Sequence, residues 1–136
     1  MNNIKRLQLN EIQNCFSFWD FENNLEKRKR IESEIVNERR KMYAYMLNGE
    51  YIAGMSLYPL ENNIIYLSYL VVKGEYRNQG IGTKMIKYAC QISKRYSYIM
   101  LNVDEDNPVA KRLYKKLGFV AVETDSQGKT KMRMEL

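Results

Sequence analysis

Apolar and polar residues repeat with two different periods along this chain, and the changes of period predict where strands and helices lie. Residues 2–9 alternate loosely, which indicates an edge strand. Residues 10–20 place apolar side chains at helical spacing, and residues 25–40 do the same with a thin apolar stripe on a densely charged background. The pattern therefore predicts a strand followed by two helices.

A β-hairpin is predicted next, because Asn48 and Gly49 separate two strand-like runs over residues 42–47 and 51–57. Pro59 is expected to end the second strand, since proline cannot donate to a strand ladder. Residues 64–72 are apolar at nearly every position. That composition is typical of a central strand covered on both faces.

The second half of the chain alternates between helices and strands. Amphipathic segments predict helices over residues 80–93 and 108–117, and an apolar run predicts a strand over residues 98–103. Residues 119–124 and 129–135 indicate a closing hairpin. The complete order is β-α-α-β-β-β-α-β-α-β-β, which places the chain in the α/β (α+β) class.

A glycine-rich turn joins the central strand to the helix after it. It consists of Arg77, Asn78, Gln79, Gly80, Ile81, Gly82 and Thr83. Glycines at a helix start let several backbone N–H groups point at one anion, and the helix dipole adds to the attraction. The turn therefore indicates a diphosphate site, although an ordinary tight turn explains the glycines equally well.

Two better known phosphate motifs do not fit this turn. The dinucleotide fingerprint would need a third glycine at position 85, which is Met85. A P-loop would need Gly-Lys-Ser/Thr, whereas the order here is Gly82-Thr83-Lys84. What remains is Arg/Gln-x-x-Gly-x-Gly/Ala between a strand and a helix.

A second motif, N-P-x-A-x-x-L-Y-x-x-L-G-F, spans Asn107 to Phe119, about 25 residues beyond the glycine turn. Asn107 is a good N-cap, the proline after it suits the first helical position, and Gly118 is a typical stop. Tyr114 lies on the apolar face of this helix. A capped core helix explains the motif by itself, but not its pairing with the turn.

The two motifs together, in this order and spacing, resemble the GNAT superfamily of N-acetyltransferases over roughly residues 51–122. The resemblance implies the GNAT fold, a mixed central sheet of about seven strands flanked by about four helices, with splayed central strands. It implies one domain over residues 1–136, acetyl-CoA as the donor cosubstrate, and a primary amine of unknown identity as acceptor. A GNAT-fold acyl-CoA sensor or interaction module with little turnover is the alternative.

The same resemblance assigns roles to individual residues. Backbone groups of Leu70 and Val72 would pair with the pantetheine arm, and the backbone of residues 78–83 would hold the diphosphate, with charge added by Arg77. Asn107 would hydrogen-bond the pantetheine, although its cap role alone would justify it. Tyr114 would be the general acid that protonates the departing thiolate, unless it is simply a core tyrosine.

The general base is left open, because Ser68 stands where many relatives carry a glutamate. Ser68 holding a water, a carboxylate from elsewhere, or an amine that arrives neutral would each meet the need. The carboxylate candidates are Glu22, Glu26 and Glu61, while Glu75 fits a solvated loop better. Five aromatic residues suggest an acceptor pocket or ordinary core packing: Phe16, Phe18, Trp19, Phe21 and Tyr43.

Composition narrows the remaining chemistry. The chain has no histidine and two cysteines, which excludes histidine-dependent catalysis and His-ligated metal, so no metal is expected. The net charge of +6 resides entirely in residues 69–136, where it would attract a phosphorylated coenzyme. The charge alone would suit nucleic acid as well, and surface lysines that serve only solubility would also explain it. Acidic residues in the first half leave room for a cationic acceptor. Nucleic-acid and membrane partners are not expected, whereas a cytoplasmic location is expected and a homodimer is possible.

Overall fold

The computed structural model describes residues 3–15, 19, 21 and 23–136. In chain order its elements are β1 (Ile4–Arg6), α1 (Leu9–Gln13), α2 (Leu25–Val36), β2 (Lys41–Leu47), β3 (Glu50–Leu60), β4 (Ile64–Val72), a 3₁₀ turn (Gly74–Tyr76), α3 (Ile81–Ile92), β5 (Tyr98–Asp104), α4 (Pro108–Leu117), β6 (Val120–Thr124) and β7 (Lys129–Glu135).

The strands form one seven-stranded sheet in the order β1-β2-β3-β4-β5-β7-β6. Only β4 and β5 run parallel, and every other neighbouring pair is antiparallel. The predicted mixed sheet of about seven strands with about four helices is confirmed, and β1 lies at its edge as expected.

Each face of the sheet carries its own hydrophobic core, because successive side chains of a strand point to opposite faces. Strand β2 shows the division clearly. Met42 and Ala44 pack with Ile31 of α2, in the smaller core, while Tyr43 and Tyr45 belong to the larger core that contains Met85 of α3. The sheet is therefore covered by α1 and α2 on one side and by α3 on the other.

Some element ends differ from the sequence-based expectation. Helix α2 ends at Val36 instead of residue 40, and Glu38 beyond it takes a left-handed φ of 63°. The first helix covers Leu9–Gln13 and is followed by a turn at residues 14–15, while residues 16–18 and 20 of the predicted segment lie outside the described part.

Pro59 does not end β3, contrary to prediction, because the strand continues to Leu60 and pairs Pro59 with Ile65 of β4. The first β2 residue, Lys41, pairs with Leu57. Pro59 thus lies beyond the end of β2, at a strand position with an open side, where a missing N–H removes no ladder hydrogen bond.

A β-bulge interrupts the pairing of β3 with β4. Gly54 pairs with Val71 and Ser56 with Ser68, so two β4 residues, Tyr69 and Leu70, oppose one residue of β3. Tyr69 adopts a φ of +53°, which is costly for a residue other than glycine.

Two aromatic residues before α2 hold this bulge in place. The indole N–H of Trp19 donates to the Tyr69 carbonyl at 2.9 Å. The ring of Phe21 meets the Tyr69 ring edge-on, with centroids 5.1 Å apart and an interplanar angle of 84°. These contacts stabilise the bulge and offset part of the backbone strain.

Strands β4 and β5 separate soon after they meet. Their pairing is limited to Ile64–Tyr66 with Tyr98–Met100. Beyond that point β4 stays with β3 as far as Val72, whereas β5 stays with β7 as far as Asp104. The predicted splay of the central strands is confirmed, and it opens a gap in the middle of the sheet.

Replacing Trp19 with phenylalanine should lower the free energy of unfolding by about 1–2 kcal/mol, because the Tyr69 carbonyl loses its partly buried donor. Chemical denaturation of the two proteins measures the difference. Tyr66→Phe is the control, since the bond from Asn102 Nδ2 to its hydroxyl is exposed and water can replace it. Equal stability losses for both variants would contradict a special role for Trp19.

Candidate functional site

The gap between β4 and β5 opens into a cleft of about 540 Å³. Its walls come from five elements and from the loop after α2. The lining residues are 66–70 of β4, Leu101 and Asn102 of β5, Tyr114 of α4, Arg30 of α2, Lys129 of β7, and Arg40.

Tyr114 and Leu70, two of the predicted site residues, meet in this cleft. The Tyr114 ring lies 6.0 Å from the ring of Phe119, which packs in the larger core. Burial raises the pKa of the Tyr114 phenol above its ordinary value, and its hydroxyl has no hydrogen-bond partner within the described part of the chain. The phenol is therefore protonated at neutral pH and free to donate into the cleft.

The glycine turn leads directly into α3. Asn78 and Gly80 take left-handed φ values of 63° and 80°, and the helix begins at Ile81. The backbone N–H groups of residues 78–83 have no hydrogen-bond acceptor among the described residues, and Lys84 is the first to donate, to the Gly80 carbonyl. A run of donors without a described acceptor at the positive end of a helix dipole suits a diphosphate.

The turn and the strand gap adjoin each other. A Cβ atom added to Gly82 would lie 4.0 Å from Cγ2 of Val72, at the end of β4. The Val72 carbonyl accepts a hydrogen bond from Nε of Arg77 at 3.0 Å. Val72 and Arg77 also line a second cavity of about 610 Å³. Arg77 is thus held against β4 at the point where the turn starts.

Asn107 lies at the N-terminus of α4, where its side-chain oxygen accepts from the Ala110 N–H at 3.2 Å. It is exposed and does not contribute to the described lining of the cleft. The structure thus shows its helix-cap role, and contact with pantetheine stays a prediction.

A buried arginine at the cleft wall had no signal in the sequence. Arg40 lies in a charged segment that reads as solvated helix, yet only 7% of it is exposed. Its Nη1 donates to Ser56 Oγ at 2.6 Å, and its Nε forms an ion pair with Glu34 Oε1 at 2.9 Å. These partners come from β3 and α2, so only the folded chain brings them together.

The cleft offers no carboxylate base in the part of the chain described. Ser68 lines it, with its Oγ 3.5 Å from Nη1 of Arg40. Glu26 and Glu61 are exposed and do not contribute to the lining, and Glu22 lies outside the described residues.

The aromatic residues suggested for an acceptor pocket lie in the hydrophobic cores, as far as the structure describes them. Trp19 and Phe21 pack in the smaller core and Tyr43 in the larger one, whereas Phe16 and Phe18 lie outside the described residues. The three described rings therefore serve packing and do not line the cleft.

Two further features concern the described residues only. No group of three or more His, Cys, Asp and Glu residues is placed to hold a metal ion there. None of the helices has the length and apolar character needed to cross a membrane.

Comparison with known proteins places this geometry in a family. A thialysine N-epsilon-acetyltransferase from Bos taurus is 39% identical over 77 residues, which cover 52% of this chain and 45% of the relative. The chain spans about half the length of the curated relatives it matches.

Solved structures share the fold. An IAA acetyltransferase from Bacillus cereus superposes with a TM-score of 0.79 at 16% identity, covering 98% of both chains. A GNAT family acetyltransferase from Elizabethkingia anophelis with acetyl-CoA bound gives a TM-score of 0.66 at 21% identity, covering 76% of this chain and 82% of that one.

The sequence profile of the acetyltransferase (GNAT) family matches residues 6–119, which include the glycine turn, the splayed strands and Tyr114. The predicted resemblance is confirmed, and this chain belongs to the acetyltransferase (GNAT) family.

Proposed function

We propose that this protein transfers the acetyl group of acetyl-CoA to a primary amine by direct attack of the amine on the thioester. One observation carries the proposal: the free N–H groups of residues 78–83, the β4–β5 gap and the Tyr114 hydroxyl follow one another in space. That sequence of features matches a donor with a diphosphate at one end and a thioester at the other. Family membership supports acetyl-CoA as this donor.

Main-chain groups would hold most of the donor. The N–H groups of residues 78–83 would bind the diphosphate, and the exposed guanidinium nitrogens of Arg77 would add charge nearby. Leu70 and Val72 belong to the part of β4 that β5 has left, so their backbone groups are candidates for pairing with the pantetheine amides. Acetyl-CoA supplies an activated acyl group when bound.

Tyr114 would act at the sulfur. As the amine attacks, negative charge develops on the leaving sulfur and has to be neutralised by a proton. A protonated phenol without another hydrogen-bond partner in the described structure can donate to that atom, and its raised pKa keeps the proton in place at neutral pH.

The described part of the site contains a proton donor for the sulfur but no carboxylate that could remove a proton from the amine. Because the described cleft lining contains no carboxylate, we infer that the amine attacks in its neutral form and passes its proton to water, with Ser68 available to hold that water. The cytoplasmic location, a homodimer and the absence of nucleic-acid partners stay predictions.

Gly82→Leu should weaken acetyl-CoA binding about tenfold or more, because the new side chain would occupy the space between the turn and β4. The added Cβ itself makes only an ordinary contact of 4.0 Å with Val72 Cγ2, and a thermal melt of the variant checks that it folds. Calorimetric titration with acetyl-CoA measures the affinity. Gly74→Leu is the matched control, since a Cβ there meets nothing within 4 Å. Unchanged affinity in Gly82→Leu would place the donor elsewhere.

Tyr114→Phe should lower kcat on the order of 10²-fold with little change in the KM for acetyl-CoA, since only the proton donor is lost. Thiol release from acetyl-CoA over an amine panel measures the rate. Tyr88→Phe, a half-buried tyrosine of α3 that packs against Tyr43, serves as control. Tight CoA binding without transfer by the unmodified protein would instead indicate the acyl-CoA-binding module.

The pH profile should show one rising limb. Without a carboxylate base, kcat/KM should rise about tenfold per pH unit up to the pKa of the acceptor amine. Loss of the Tyr114 proton would lower the rate only as the pH rises through its pKa, which burial raises above the ordinary range of a phenol. Initial rates between pH 6 and 10 decide the point, and a limb that levels off near pH 6 would reveal a dedicated base.

A further inference from the structure

The guanidinium of Arg40 is held by hydrogen bonds at two of its three nitrogens. Its side chain is 9% exposed, its Nε is bonded to Glu34, and its Nη1 donates to Ser56 and lies near Ser68. Its Nη2 has no hydrogen-bond partner among the residues that the structure describes. A guanidinium held in this way at a cleft wall presents a free donor to whatever occupies the cleft.

The guanidinium is also fixed in direction. Its Cζ atom lies 4.8 Å from the centroid of the Tyr58 ring and 5.5 Å from that of the Tyr69 ring. The second of these rings belongs to the β4 bulge, which lines the cleft. Contacts with two rings and hydrogen bonds at Nε and Nη1 reduce the entropy that Arg40 would lose on binding a ligand.

The other charged residues that line the cleft are also positive. Arg30 lies on α2 at the edge of the cleft, is exposed, and forms no ion pair with any described residue. Lys129 lines the cleft too, but it is paired with Asp104 at 2.7 Å. Three cations and, within the described chain, no carboxylate face the space where the acceptor would bind.

We propose that the acceptor is a small amine that also carries a carboxylate, and that Arg40 and Arg30 bind this carboxylate while the amino group faces Tyr114. The inference rests on the function proposed above and narrows its substrate class. It departs from the sequence-based expectation that acidic residues of the first half leave room for a cationic acceptor. A carboxylate oxygen accepts a charge-assisted hydrogen bond from the free Nη2 of Arg40, which selects the carboxylate over a neutral group of the same size.

Matched acceptors test the proposal. β-Alanine, γ-aminobutyrate, 5-aminopentanoate and L-lysine are each assayed beside their primary amides, which keep the size and remove the charge. We expect the best acid to exceed its amide in kcat/KM by about tenfold or more. The acetyl-CoA KM should be the same with both, because the coenzyme phosphates would bind at residues 78–83.

Two variants connect this preference to the arginines. Arg40→Gln and Arg30→Gln should each lower kcat/KM for the acid by about tenfold and bring acid and amide close together. Arg39→Gln is the matched control: it removes the same charge from the neighbouring residue, which lines a different cavity. Circular dichroism checks folding, since Arg40→Gln leaves Glu34 without its partner. Arg30→Gln, on the helix surface, remains informative if Arg40→Gln unfolds.

The possible outcomes distinguish failure of the acceptor inference from failure of the proposed acetyltransferase function. Acetyl transfer that is equally efficient with acids and amides, and insensitive to both arginine variants, would overturn the inference and leave the acetyltransferase proposal intact. Absence of transfer to every amine would overturn the proposed function. In that case calorimetry with CoA-saturated protein still judges the inference: acid-specific binding lost in Arg30→Gln supports it, and equal binding of acid and amide refutes it.

Discussion

The β4 bulge at Tyr69 is the constraint on which the site depends. An extra residue on one strand bends that strand and increases its twist. In this sheet the bend follows the three residue pairs that join β4 to β5. A parallel pair that would otherwise continue to Leu70 of β4 and Asp104 of β5 separates instead, and the cleft occupies the resulting space. The hydrogen bond from Trp19 to the Tyr69 carbonyl is therefore a support of the site as well as of the fold.

The two hydrophobic cores give this arrangement its rigidity. Packing of α3 against one face holds the glycine turn next to the end of β4, so the N–H groups and the strand gap keep a constant relation. Packing of α1 and α2 against the other face supports the bulge and places Arg30 at the cleft edge. The position of the glycine turn thus depends on one layer of helices, and the cationic wall of the cleft depends on the other.

Features that rest on neighbouring residues could be predicted. The Asn48–Gly49 turn has the left-handed φ values that favour those residues, 52° and 79°. Asn107 caps α4, and Gly118 ends it with a φ of 115°, at a position where a Cβ would meet Met134 Sδ at 2.9 Å. The glycine turn and Tyr114 were recognisable for the same reason, because each lies inside a short motif with its own local geometry.

Features that depend on distant partners could not be predicted. Strand β3 continues through Pro59 because β2 begins opposite Leu57 and has no residue there that would need the missing N–H of the proline. Arg40 is buried because Glu34, Ser56 and Tyr58 surround it. The amino-acid sequence by itself determined the order of elements, the family and the position of the glycine turn, since these follow from local backbone preferences, periodicity and short motifs. Only the tertiary structure decided the bulge, the burial of Arg40 and the cationic cleft, because each arises where segments far apart in the chain pack together.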